Sequence, residues 1–189
     1  MRLRNLLTCV LGLLVLAGCG GGSGGGTAAR SGPSASSLTY VPDPLADGNS
    51  WRLELDPGPN TTATHLVFNL MAPAGTSGQG FTVILGTDTL DAVWSKVAGT
   101  SYGVQTLFSA AFPNVSIASP SGPDLRIVFG QVAGTPVSYG TGPVLQVALD
   151  LAPGAIVGGV TLTARQAGNL GAGPVPDPVT VAVGSLKAN

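Results

Sequence analysis

Cysteine is nearly missing from this chain. Cys9 and Cys19 are the only two in 189 residues, and none follows Cys19. Residues 20–189 therefore hold no disulfide, no thiol nucleophile and no thiolate metal ligand, and a fold there must rest on its apolar core. Histidine is limited to His65 and glutamate to Glu54. One histidine without free cysteine disfavours a zinc site. A Ser-His-Asp triad would have to use His65, and no Gly-x-Ser-x-Gly elbow accompanies it. The reading of His65 is an outward strand residue on an ordinary surface. Glycosidase chemistry needs two carboxyl groups across a cleft. Glu54 and Asp56 lie on one strand face about 7 Å apart by strand geometry, which reads as a solvated face. Charged residues make up only 9% of the chain, with no basic run, so nucleic acid is excluded as a partner. No cofactor is called for.

What is present begins with an apolar run. Arg2 and Arg4 precede Leu6–Ala17, which is too short to cross a bilayer core of about 20 residues. A positive start, a short apolar middle and small residues before the cut describe a signal peptide. The small residues Ala17 and Gly18 lead directly into Cys19, with Leu16 three positions before it. Leu16-Ala17-Gly18-Cys19 resembles the lipobox of bacterial envelope lipoproteins. The resemblance implies cleavage before Cys19, a diacylglyceryl group on its sulfur and, in Gram-negative cells, a further acyl chain such as palmitate on its amine. The lipid bilayer is then the first partner, reached without a transmembrane helix. One acyl chain holds only marginally, at about 0.8 kcal/mol per buried CH₂, so two or three are needed for stable anchoring. Gly20 after the anchor resembles lipoproteins sorted to the outer membrane. Loss of Arg2 and Arg4 leaves six cationic against nine anionic residues, a net charge of −3.

The expected organisation is a signal peptide over 1–18, a lipidated Cys19 with a flexible tether over 19–37, and one domain over 38–189. Gly20–Ser37 is low-complexity Gly/Ser/Ala, for which no fixed structure is expected. Beyond it, glycine and proline are abundant at 29 and 15, and the hydrophobic fraction is 44%. Apolar residues alternate with polar ones in short runs. Trp51, Leu53 and Leu55 face one side, with Arg52, Glu54 and Asp56 on the other. Leu66, Phe68 and Leu70 face inward, with His65, Val67 and Asn69 outward. Phe81, Val83 and Leu85 repeat the pattern. Leu90 and Trp94 are candidate core residues of a further strand. Val104–Phe112 reads as extended, and Asn114–Asp124 as a Ser/Pro/Gly-rich loop. Leu125, Ile127 and Phe129 alternate, as do Leu145, Val147, Leu149 and Leu151. Val160, Leu162 and Ala164 follow, and Val179, Val181 and Val183 close the chain. The Gly/Pro breaks between these runs, with no amphipathic helix, predict an all-β antiparallel β-sandwich of the jelly-roll kind with eight or nine strands.

Three runs carry a second resemblance. Phe81–Val93, with Asp88, Leu90 and Val93, resembles the cohesin signature of a strand ending in Tyr-Asp-Pro before a valine-rich strand. Gly142–Gly154 is similar to that family's Gly-x-Leu-Ala-x-Ile-x-Phe-x-Val block, and Gly159–Leu170 to the strand after it. The resemblance spans roughly Ser50–Asn189 and implies a cohesin-like or carbohydrate-binding-domain-like jelly roll, with a non-catalytic binding role toward another protein. The alternative is a carbohydrate-binding module at the cell surface that takes a polysaccharide. Sugar binding needs exposed rings, and the ligand-binding candidates are Trp94, Tyr102 and Tyr139, with Tyr40 also near a loop. Asp43–Asn49 offers oxygen ligands but lacks the spacing of a calcium loop, and reads as a turn.

Overall fold

The structure is a computed structural model that describes residues 30–87, 90–95, 102–104, 114–131, 135–171, 173 and 175–189. Ser31–Asn189 forms one compact unit. The described residues contain strands and turns but no helix. The first eight strands in chain order are β1 (Leu38–Val41), β2 (Trp51–Leu55), β3 (His65–Met71), β4 (Ser77–Gly78), β5 (Gly80–Thr87), β6 (Ala92–Trp94), β7 (Tyr102–Val104) and β8 (Asn114–Ser121). The rest are β9 (Asp124–Gln131), β10 (Val137–Ser138), β11 (Pro143–Leu151), β12 (Gly158–Val160), β13 (Leu162–Leu170), β14 (Asp177–Pro178), β15 (Val181–Ala182) and β16 (Ser185–Ala188). These are sixteen segments where eight or nine were expected. The surplus consists of two- to four-residue pieces such as β4, β10, β14 and β15 that add to edges and ends.

Two large sheets make an antiparallel β-sandwich. One has the order β15-β2-β3-β11-β6, with β7 also paired to β11; the other has the order β14-β13-β5-β9-β8. Only β15 runs parallel to its neighbour, β2. The alternation forecast holds in the core for the central runs, while Val104–Phe112 lies outside the residues whose side chains are described. Leu53, Phe68, Leu70, Phe81, Val83, Leu85, Leu125, Phe129, Val147 and Leu149 are all buried between the sheets. The rings of Trp51 from the first sheet and Phe81 from the second stack with centroids 4.3 Å apart. Such a pair adds about 0.5–1.5 kcal/mol beyond the area it buries. A small sheet, β1-β16-β12, closes one end and brings Leu38, Tyr40, Val160, Leu186 and Ala188 into the same core.

Four sequence expectations are corrected. Asn114–Ser121 is a strand and not a loop, paired along its length with β9. Only Gly122-Pro123 forms the turn, because Ser121 pairs directly with Asp124. Gly122 has φ 59°, and glycine with positive φ in the first turn position is what a tight two-residue hairpin requires. Pro120 is tolerated because β8 is an edge strand, free of a second ladder. Leu90 is not core: it is 71% exposed, and Ala92 and Trp94 are the buried apolar residues of that run. Val67 is buried, not outward, and pairs with the equally buried Ala148 on β11. That patch of the first sheet is covered on both faces, so period-two alternation cannot assign its sides. Finally, the stretch expected to be unstructured up to Ser37 is pinned at its end. Ala35 N–H donates to Ala155 O at 2.9 Å, and Ser34 makes an antiparallel bridge with Ile156. A chain of small residues can lie this close to a neighbouring backbone, and the bonds satisfy its N–H groups.

The run β13 carries one irregularity. Arg165 pairs with Ile84 and Gly168 with Thr82, so three steps on β13 match two on β5. Gln166 sits in this bulge with φ 50°.

Candidate functional site

The residues named from sequence separate into three groups. Cys19, with the rest of Leu16–Cys19, lies outside the described residues, as does Asp88 of the cohesin-like run. Tyr102 has its backbone on β7, paired with Val147, and its side chain lies outside the described part.

The other aromatic candidates are structural ties and not a platform. Trp94 is 2% exposed, and its Nε1–H donates to the Pro123 carbonyl at 3.0 Å. The same carbonyl accepts from Thr87 N–H at 2.9 Å. Trp94 belongs to the first sheet and Pro123 to a hairpin of the second, so this ring fastens the sheets together at one end. Tyr139 is 1% exposed and fastens the opposite end. Its hydroxyl lies 2.9 Å from the Gly80 carbonyl and 2.8 Å from Asn169 Oδ1. Burial pushes its pKa up to about 12. Tyr40 is buried likewise, donates to the Leu53 carbonyl at 2.7 Å, and is pushed up to about 12 by burial and then by Asp43 and Glu54. The sequence placed Tyr40 and Tyr139 near loops and offered Trp94 both as core and as a ligand-binding ring; all three rings turn inward. Among the residues whose side chains are described, Trp51, Phe68, Phe81 and Phe129 are buried too, so no exposed ring is available there to stack on a sugar.

The titratable candidates resolve into pairs and turns. His65 Nδ1 and Asp150 Oδ1 are 2.5 Å apart across β3 and β11. Among the described residues no hydroxyl donates to the other ring nitrogen, so the pair lacks a nucleophile. Arg52 Nε donates to Glu54 Oε1 at 2.6 Å, and Asn69 Nδ2 donates to Asp56 Oδ1 at 3.3 Å. Glu54 and Asp56 thus have separate partners on a strand face. Asp43 Oδ1 accepts from Leu45 N–H and Asp47 Oδ1 from Asn49 N–H, both at 2.9 Å. These are Asx turns. The Asn49 N–H and the Ser50 hydroxyl hold the Asp47 carboxyl below the usual range. No cluster of three or more metal-ligating side chains occurs among the described residues.

The remaining feature is one the sequence reading passed over. Register places Arg165, Ile84, Arg126 and Ser119 side by side across β13, β5, β9 and β8. Two residues along, Thr163, Gly86, Asp124 and Ser121 form the next row. Both rows point away from the core, since Leu125, Ile127, Val83 and Leu85 occupy the inward positions. Arg165 Nη2 pairs with Asp124 Oδ1. The Arg126 guanidinium and the hydroxyls of Ser119 and Ser121 make no hydrogen bond or ion pair among the described residues. With Ile84 and Asp124 they line a recess of about 290 Å³. The two arginines and one aspartate give this face a local charge of +1 on an acidic protein. Alternation in Leu125–Phe129 could have shown Arg126 as outward; reading 114–124 as a loop hid Ser119 and Ser121. The chain matches no protein-family model and no curated protein.

Proposed function

We propose that the protein is a lipid-anchored envelope protein whose sandwich is a non-catalytic, cohesin-like binding domain for another protein. In this reading acylated Cys19 holds the mature chain in the outer membrane, and the outer face of β13-β5-β9-β8 receives the partner. The observation that carries the binding role is the cluster of Arg126, Ser119 and Ser121 around Ile84, with polar groups left unengaged on a broad strand surface. An unpaired arginine beside an apolar side chain is the composition favoured where proteins dock. The scarcity of convergent catalytic groups supports a binding role over a hydrolytic one.

The test is photo-crosslinking in cells, with the reactive residue at Ser119 and a control at Gln146 on the other sheet. A discrete adduct from Ser119 that disappears in Arg126→Glu supports the reading. An adduct that persists in Arg126→Glu, or forms equally from Gln146, contradicts it.

A further inference from the structure

The chain enters the sandwich at one end, where exposed Arg30 is followed by a run without charge and exposed apolar side chains stand nearby. Val157 N–H donates to the Pro33 carbonyl at 2.9 Å, and Ser34 bridges Ile156. A side chain at Gly32 would already touch Ile156, at 3.4 Å. The loop before β6 reaches the same place: Asp91 Oδ1 accepts from Ile156 N–H at 2.8 Å. Leu90, 71% exposed, and Val157, 39% exposed, therefore flank the entry point. Residues 31–42 and 151–164 contain no charged side chain, and Asp91 is 2% exposed. The opposite end is marked by Leu170, which pairs with Gly80, and by the loop holding Val175, 72% exposed.

We infer that this entry rim, through Leu90 and Val157, rests in the membrane interface when the domain is held by its anchor. The inference depends on the lipid anchor at Cys19 and adds a second, weak contact to it. Eleven positions, 19–29, run from the anchor residue to Arg30, and six of them are glycine. The entry is therefore the part of the domain that follows the anchor most closely in sequence. Tethering also makes the contact intramolecular, at an effective concentration in the millimolar range, so two apolar side chains suffice where free protein would not bind.

The experiment uses the full lipidated chain reconstituted in phosphatidylethanolamine/phosphatidylglycerol vesicles. Leu90→Cys, Val157→Cys and Val175→Cys each add a single free thiol, because Cys19 is acylated, and each is labelled with an environment-sensitive fluorophore. The expected result is blue-shifted emission at positions 90 and 157, quenched by lipids spin-labelled near the headgroup, with water-like emission at 175. Vesicle-bound protein with water-like emission at all three positions overturns the inference and leaves the anchor intact. Protein that floats free of vesicles and lacks acyl mass overturns the anchor, and this contact with it.

Discussion

Tyr139→Phe removes one oxygen and nothing else, and the structure fixes what that costs. The ring keeps its edge contact with Trp51, at 5.8 Å between centroids. The Gly80 carbonyl and Asn169 Oδ1 lose the hydroxyl they share. Leaving buried polar atoms unsatisfied costs roughly 1–3 kcal/mol. For a domain of this size that lowers Tm by about 3–10 °C. The same spot can be approached from the other side. Gly78 has no side chain because a Cβ there would collide with the Tyr139 hydroxyl and Asn169 Oδ1, and lie 2.9 Å from the Leu170 carbonyl. Gly78→Ala should therefore cost roughly 1–3 kcal/mol by overpacking. In the double variant the missing hydroxyl relieves one of these collisions, so the combined loss should fall short of the sum by about 0.5 kcal/mol or more. Urea denaturation of the four proteins measures the cycle. Additive losses within about 0.3 kcal/mol, or an unchanged Tyr139→Phe, would refute the claim that this hydroxyl is a buried fastener.

High pH should act on the same group. Tyr40 and Tyr139 ionise near 12 in the folded state and near 10 when unfolded, so their stabilisation is complete below pH 10 and lost as pH rises toward 12. Each contributes up to about 3 kcal/mol to that loss, and Tyr139→Phe should flatten the decline of stability measured from pH 9 to 12. Trp94→Phe removes one of the two N–H groups on the Pro123 carbonyl, leaving that of Thr87, and vacates part of the indole's volume; it should cost about 1–2 kcal/mol by chemical denaturation. His65→Ala breaks a half-exposed pair and should cost about 1 kcal/mol or less; a loss of several kcal/mol would show the pair to be a core element. Arg126→Glu should leave Tm nearly unchanged, within about 0.5 kcal/mol, while abolishing the Ser119 adduct.

Strands with one buried face were legible in the sequence. Phe81, Val83 and Leu85, or Leu125, Ile127 and Phe129, declare themselves because a core on one side forces period two. Legibility failed where another constraint took over. Val67 and Ala148 are buried on the nominally outer face, so hydrophobicity carries no phase there. Ser116–Ser121 has the composition of a loop, yet an edge strand needs no apolar outer face and tolerates Pro120. Ser185–Ala188 went unread because only Leu186 and Ala188 show the alternation, and its pairing with Leu38–Val41 is set by chain ends far apart in sequence. The choice between core and surface for Trp94, and the interior position of Tyr139, were unresolved for a related reason. Both sit at strand ends, where the inward or outward choice depends on acceptors at Pro123 and Gly80 contributed by distant segments. The candidate docking face needed register across four strands, which periodicity within one strand does not supply.

The central claim is that a greasy sulfur at Cys19 holds this sandwich at the membrane. Intact mass spectrometry of the mature protein extracted from membranes tests it most directly. The account predicts a chain that starts at Cys19 and carries diacylglyceryl mass, with Cys19→Ser shifting the protein to the soluble fraction. A mature chain with a free Cys19 thiol, or one that starts elsewhere, would contradict it.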